Sequence, residues 1–326
     1  MKAARSFQSP LAEHFQKFLT HHRALGKRYD NEESALFLLD RFLTARNVRE
    51  PEQLTPELLE KFLNSRQRRK RSRNHLLNVL QRLFRWLVGQ GLLTASPLRS
   101  QPRRSLNKLR PYLFQERDVQ RILSRAAALR DWPRGCQRGV TYRMIFALMY
   151  GLGLRVGEVS RLCRRDVDLE RCCLHIRETK FLKSRLVPFG PRMKHALQAY
   201  VKQRQPAEDP RAPLFSLAKD GRRPISRQTI SRTLRELATE LNLTAPSGTA
   251  PPRAHGLRHS FAVSTLLAWY RSGVDPASML MHLSVFLGHA NPASTAVYLT
   301  VTDELLALAK QRFERYAEGV LKGVPS

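Results

Sequence analysis

Residues 55–91 read TPELLEKFLNSRQRRKRSRNHLLNVLQRLFRWLVGQG. Thr55-Pro56-Glu57 is a helix start. A threonine hydroxyl can accept from the free amides of a first turn, and proline there loses only an N–H that has no partner. Leu58, Leu59, Phe62 and Leu63 follow at helical spacing. After a polar break, Leu76, Leu77, Val79, Leu80, Leu83, Phe84, Trp86 and Leu87 repeat the pattern and stop near Gly89 and Gly91. Upstream, Phe7, Leu11, Phe15, Phe18 and Leu19 mark another helix, and Ala35, Leu36, Leu38, Leu39, Phe42 and Leu43 mark one more. Four helices with short joins predict a small bundle over residues 1–98.

Residues 99–112 read as a linker, with Pro102-Arg103-Arg104 and Arg110-Pro111 and little apolar content. The remainder, 113–326, mixes helices with a few strands. Val119, Ile122, Leu123 and Ala126 fit a helix, and Tyr142 to Tyr150 fit a buried one ended by Gly151 and Gly153. Cys172–Arg177 and Leu186–Phe189 are short β-like runs, a predicted hairpin. Helical patterns resume at Pro191–Lys202, Ser226–Leu241, Arg258–Arg271, Ala293–Thr300 and Asp303–Ala317. The fold class is mostly α with a small β-sheet. No repeats and no glycine-rich nucleotide loop are present.

Lys and Arg number 57 against 27 Asp and Glu, a formal charge of +30. Such an excess repels itself in a compact chain unless a polyanion neutralises it. Nucleic acid is the first partner this implies, because each neutralised phosphate releases counterions; an anionic membrane surface is the second. No apolar run of about twenty residues is present, so a membrane span is not expected. The basic N-terminus lacks the apolar stretch of a secretory signal. The four cysteines, Cys136, Cys163, Cys172 and Cys173, form neither a C-x-x-C pair nor a zinc pattern, and read as free thiols in a reducing cytoplasm. Between the third and fourth helices runs Arg66-Gln67-Arg68-Arg69-Lys70-Arg71-Ser72-Arg73. Its arginines and Lys70 are expected to contact phosphates, and Arg103 and Arg104 of the linker to track the same backbone.

Four segments carry chemistry. Gly153-Leu154-Arg155-Val156-Gly157-Glu158 puts an arginine just past a glycine break, where its fork can grip a phosphate; Glu158, one turn on, can orient a neighbouring cation. The bland alternative is a helix-surface salt bridge. Glu178 to Arg185 forms the hairpin turn, with Lys180 and Lys183; it reads equally as a solvated basic turn. His255-Gly256-Leu257-Arg258-His259 offers a proton carrier and a cation just before a helix, with His259 expected to pack or cap. Leu287-Gly288-His289 is followed by a helix presenting Tyr298, which alone would read as core. Together, two arginines, two histidines, a lysine and a tyrosine without a carboxylate pair suit phosphoryl transfer with protein cations in place of a metal.

In order and spacing these motifs resemble the tyrosine recombinases, or phage-type integrases: Arg155 with Glu158, a hairpin lysine, His255 with Arg258, His289, and Tyr298 nine residues after it. The resemblance implies a core-binding bundle and a catalytic domain clamping duplex DNA. It implies Tyr298 as nucleophile, forming a 3′-phosphotyrosyl link, and Arg155 and Arg258 as transition-state cations. Lys180 would be the acid for the 5′-oxygen, with Lys183 the other candidate. His255 would assist proton transfer, His289 would bond the phosphate, and Glu158 would support the site. No cofactor, ATP or metal is implied. Four protomers on two specific DNA sites would pass through a Holliday junction, in the cytoplasm at the nucleoid. The Asp303–Ala317 helix would dock on a neighbouring protomer or on its own domain. The long interval from Arg258 to His289 is similar to that of transposon-encoded members. A type IB topoisomerase, a catalytically silent DNA-binding protein, and a membrane-surface or RNA-binding protein are the alternatives.

Overall fold

The computed structural model describes residues 6–50, 53–103, 109–132, 136–177, 184–204, 209–289 and 291–300, with 307, 310, 311 and 314 beyond them. The chain divides into two compact units, Met1–Lys108 and Leu109–Ser326. Each has its own apolar core.

The first unit holds α1 (Ala12–Ala24), α2 (Asp30–Thr44), α3 (Pro56–Asn64) and α4 (Lys70–Gly89). Phe15, Phe18, Leu36, Leu39, Phe62, Leu77, Leu83 and Phe84 fill the space between them. The Thr55 hydroxyl accepts from the Leu58 amide at 3.3 Å and so caps α3 as the sequence implies. Asp40 of α2, also buried, accepts the amides of Gln8 and Ser9 at 2.9 and 2.8 Å, tying the chain before α1 to the bundle. The first residues of the expected linker lie on this unit. The Ser100 hydroxyl donates to Glu60, and Arg103 and Asn74 exchange bonds of 2.9 and 2.8 Å.

The basic run is not uniform. Arg66, Arg69, Lys70 and Arg71 are exposed. Arg68 is half-buried and donates to the Leu63 carbonyl at 3.3 Å. Arg73 corrects the expectation of a phosphate contact. It is 4% exposed, pairs with Glu60 at 3.1 Å and donates to the Gln101 carbonyl at 3.2 Å. The cause is register: Arg73 lies on the same side of α4 as Leu76, Leu77 and Leu80, so it faces inward with them. Arg104 lies outside the described residues.

The second unit holds α5 (Glu116–Ala127), α6 (Arg138–Gly151), α7 (Val156–Val159), β1 (Val167–Asp168), β2 (Cys173–Ile176), β3 (Arg185–Pro188), α8 (Pro191–Gln203), α9 (Arg227–Glu240), α10 (Ala254–Arg271), α11 (Pro276–Leu287) and α12 (Ala293–Ala296). The predicted hairpin is β2–β3, antiparallel with Leu174 opposite Val187; β1, which the sequence did not announce, pairs with the other side of β2. Leu174, Ile176 and Val187 turn into the core, where α6 is buried nearly all round. α10 begins at Ala254, so His255 lies inside its first turn, not before it. The predicted Ala293–Thr300 helix is α12 followed by a 3₁₀ turn over Val297–Thr300. A smaller apolar cluster joins Ala262, Val263 and Leu266 of α10, Leu283 and Leu287 of α11, and Tyr298. It fixes the tyrosine against the two helices. Most of Asp303–Ala317 lies outside the described residues.

Candidate active site

Gly153 sits between α6 and α7 at φ +59°, in the left-handed region that glycine enters without cost. A Cβ there would also run into Phe261 and Leu287. This turn delivers Arg155 to the cap of α7 with extended backbone. The Arg155 amide donates to Glu158 Oε2 at 2.9 Å, its Nη1 to Oε1 at 2.7 Å, and its Nη2 to the Gly288 carbonyl at 2.8 Å. Arg185, at the start of β3, donates to the two Glu158 oxygens from Nη1 and Nη2 at 3.0 Å each, and from Nε to the Phe286 carbonyl at 2.8 Å. Glu158 is therefore no surface salt bridge but a buried carboxylate with four donors. Burial alone would raise its pKa; bonds and charge from Arg185, then Arg155, overcome this and hold it at about 2.

Arg258, on α10, has no exposed surface. Its Nη1 donates to the Gly153 carbonyl and its Nη2 to the Leu287 carbonyl, both at 2.7 Å. Nε has no partner among the described residues. Burial and then the nearby Arg155 push this guanidinium down to about 9. The carboxylate acting on it, Glu158, is already bound by Arg155 and Arg185. The site is thus under-compensated in negative charge, an environment that favours an incoming anion.

Gly288 ends α11 at φ +66°, and a Cβ there would strike the Arg185 guanidinium. The next residue, His289, sets Nδ1 2.6 Å from Thr295 Oγ1, with its ring 6.3 Å from that of Tyr298. His255 and His259 share one face of α10, ring centroids 4.4 Å apart. His259 Nδ1 lies 2.8 Å from the Tyr298 hydroxyl. Desolvation first, and then neighbouring basic groups, arginines foremost for His255 and His289 and His255 for His259, bring the three each to about 4, so all are neutral at pH 7. Tyr298 is 4% exposed. Burial pushes its phenol up, opposed by Arg258 and Arg155.

Six residues singled out in the sequence therefore meet: Arg155, Glu158, His255, Arg258, His289 and Tyr298. Lys180 and Lys183 lie outside the described residues. Two further members escaped sequence reasoning. His259, expected to pack or cap, faces the tyrosine; its four-residue offset from His255 was the available signal, since such pairs share a helix face. Arg185 had no such signal, because a one-residue shift in a short strand decides which way its side chain points. The arrangement offers two cations for phosphate oxygens, neutral imidazoles for proton traffic and one phenol. Among the described residues, no group of histidines, cysteines and carboxylates could hold a metal, and no helix is long and apolar enough to cross a membrane.

The family model described as the phage integrase family matches residues 113–304. An integrase/recombinase by name, y4rE of Sinorhizobium fredii, is 30% identical over 308 residues, 94% of this chain and 97% of that protein. Another from the same organism, y4rB, is 38% identical over 211 residues, 64% of this chain and 67% of its own. The tyrosine recombinase XerC of Lactobacillus delbrueckii is 32% identical over 244 residues, 73% of this chain and 75% of its own. Among solved structures, the Tn1549 transposon integrase in complex with transposon right-end DNA superposes with a TM-score of 0.65 at 16% identity, covering 95% of this chain and 100% of that one. The chain belongs to the phage integrase family, the tyrosine-type site-specific DNA recombinases.

Proposed function

We propose that Tyr298 attacks a backbone phosphorus of duplex DNA, forming a 3′-phosphotyrosyl bond and releasing a 5′-oxygen. Arg155 and Arg258 neutralise the charge that gathers on the non-bridging oxygens. His289 hydrogen-bonds the phosphate and His255 assists proton transfer. Lys180, between β2 and β3 in the sequence, protonates the departing 5′-oxygen, and Glu158 holds Arg155 in register. A second 5′-hydroxyl then attacks the phosphotyrosine. One phosphodiester is exchanged for another, so bond energy is conserved and no nucleotide hydrolysis is required. Arg66, Arg68, Arg69, Lys70, Arg71, Arg103 and Arg104 contact phosphates outside the scissile position. Two recombination sites are brought together by four protomers, and the DNA is that of a mobile element.

The observation that carries this reading is one buried group: Tyr298 enclosed beside Arg258, with Arg155, His255 and His289 acting at the same place. A tyrosine serving only as core has no need of a fully buried arginine held on two backbone carbonyls. The test is covalent capture. The full chain is incubated with a pool of nicked duplexes of random sequence, and protein–DNA adducts that survive denaturing detergent are recovered and sequenced. Wild type is expected to capture a defined sequence, and Tyr298→Phe nothing. Failure of the wild type to capture any duplex, or capture by Tyr298→Phe, would overturn the reading.

A further inference from the structure

A phenol ionises near pH 10, and burial pushes Tyr298 higher. At neutral pH this nucleophile needs an acceptor for its proton within about 2.6–3.2 Å. His259 Nδ1 stands 2.8 Å from the hydroxyl. His289 is less suited, because its Nδ1 is engaged by Thr295 Oγ1 at 2.6 Å. His255 packs edge-on against His259, not against the phenol. Both members of the close pair are rigidly held: His259 by the second turn of α10, and Tyr298 by Val263, Leu266, Leu283 and Leu287.

We propose that His259 is the general base of this reaction, taking the Tyr298 proton on Nδ1. The inference rests on Tyr298 being the nucleophile. As the phenol oxygen bonds to phosphorus and the bond from phosphorus to the 5′-oxygen breaks, the phenolic proton passes to Nδ1 and leaves an imidazolium. The 5′-oxygen receives its proton from a different group. In rejoining, the imidazolium returns its proton to the departing phenolate, so one residue serves both directions. The titratable and charged groups that bear on His259 are His255 and Arg258 on α10, with His289 from beyond α11 and Arg155 from the start of α7 acting on its neighbours. Burial first, and then these groups, keep the imidazole neutral, which is the form a base requires. A phosphate seated among the arginines offsets the positive charge that His259 gains, so proton transfer is tied to the presence of DNA.

The experiment uses the nicked duplex captured by the wild-type full chain. His259→Phe and His259→Ala are expected to form the adduct about 10²–10⁴-fold more slowly. Affinity for intact duplex and melting temperature should stay near wild type. Rejoining should slow by a similar factor, and added imidazole should restore His259→Ala in part. A substrate with sulfur at the 5′-bridging position, whose leaving group needs no acid, should not rescue either variant. Cleavage within threefold of wild type by His259→Phe, with Tyr298→Phe inactive, overturns the proposal and leaves Tyr298 as nucleophile. Rescue by the sulfur substrate overturns it too, since His259 would then serve the leaving group. Should both variants fail to fold, difluorotyrosine at 298 in the otherwise intact chain decides. With His259 as base, the acid limb of the cleavage rate belongs to the imidazole and stays in place; a limb that moves with the more acidic phenol overturns the proposal.

Discussion

Replacing Glu158 by glutamine keeps the shape of the side chain and removes its charge. The carboxylate is 4% exposed and accepts from the Arg155 amide, the Arg155 guanidinium and both terminal nitrogens of Arg185. Its pKa falls from the usual 4.5 to about 2, which corresponds to about 3 kcal/mol of folded-state stabilisation of the anion. Because the folded value lies below the unfolded one, that contribution is complete above pH 4.5 and is lost as pH falls toward 2. At pH 7, Glu158→Gln should therefore lower the melting point of the second unit by about 6–12 °C, at roughly 2–4 °C per kcal/mol for a unit of this size. Scanning calorimetry of the full chain would measure this, with the melt of the first unit as internal reference. Lowering the pH from 7 to 4 should narrow the gap between variant and wild type. A second-unit melt within about 1 °C of wild type at neutral pH, or a gap unaffected by acid, would refute the view that Glu158 balances the two arginines.

Gly153→Ala forces a side chain into a left-handed position already occupied by Phe261 and Leu287, and should cost the second unit about 1–3 kcal/mol, read as a lower calorimetric transition. Arg73→Met should destabilise the first unit by roughly 1–3 kcal/mol while leaving the salt dependence of DNA affinity unchanged. The exposed Arg71→Ala should do the reverse, lowering the slope of log affinity against log salt by about one; filter binding across a salt series separates the two. The half-buried neutral histidines His259 and His289 titrate at 6.5 in the unfolded chain and at about 4 when folded. Unfolding therefore takes up protons, and the second unit should lose stability between pH 6.5 and 4, a window that His289→Gln should make shallower in acid melts.

The four helices of the first unit were legible because apolar residues at helical spacing report a buried face directly, and Thr55-Pro56 marks a start that the structure reproduces. The hairpin was legible from two β-like runs. β1 was not, because two residues carry no periodicity. The residues of the candidate site were found by their order along the chain, which requires no knowledge of side-chain direction. Side-chain direction is not encoded in that order. Arg73 sits in a basic run most of whose other members are exposed, and its place beside Leu76 and Leu77 turns it in. Arg185 and His259 are contacts made across 27 and 39 residues, to Glu158 and Tyr298, and no local pattern encodes such a distance.

Arg155 and Arg258 both take their bearings from main-chain oxygens: one from Gly288, the other from Gly153 and Leu287. Carbonyls of this kind survive any side-chain replacement that leaves the local turn intact. Glu158 apart, sequence drift around the pocket is thereby uncoupled from the aim of its two cations, and much of the burden of preservation shifts to the pair of glycines that shape those turns. Relatives that have diverged widely in their surrounding side chains can still present the same two charges at the same angle, provided both bends and the carboxylate beneath Arg155 are kept.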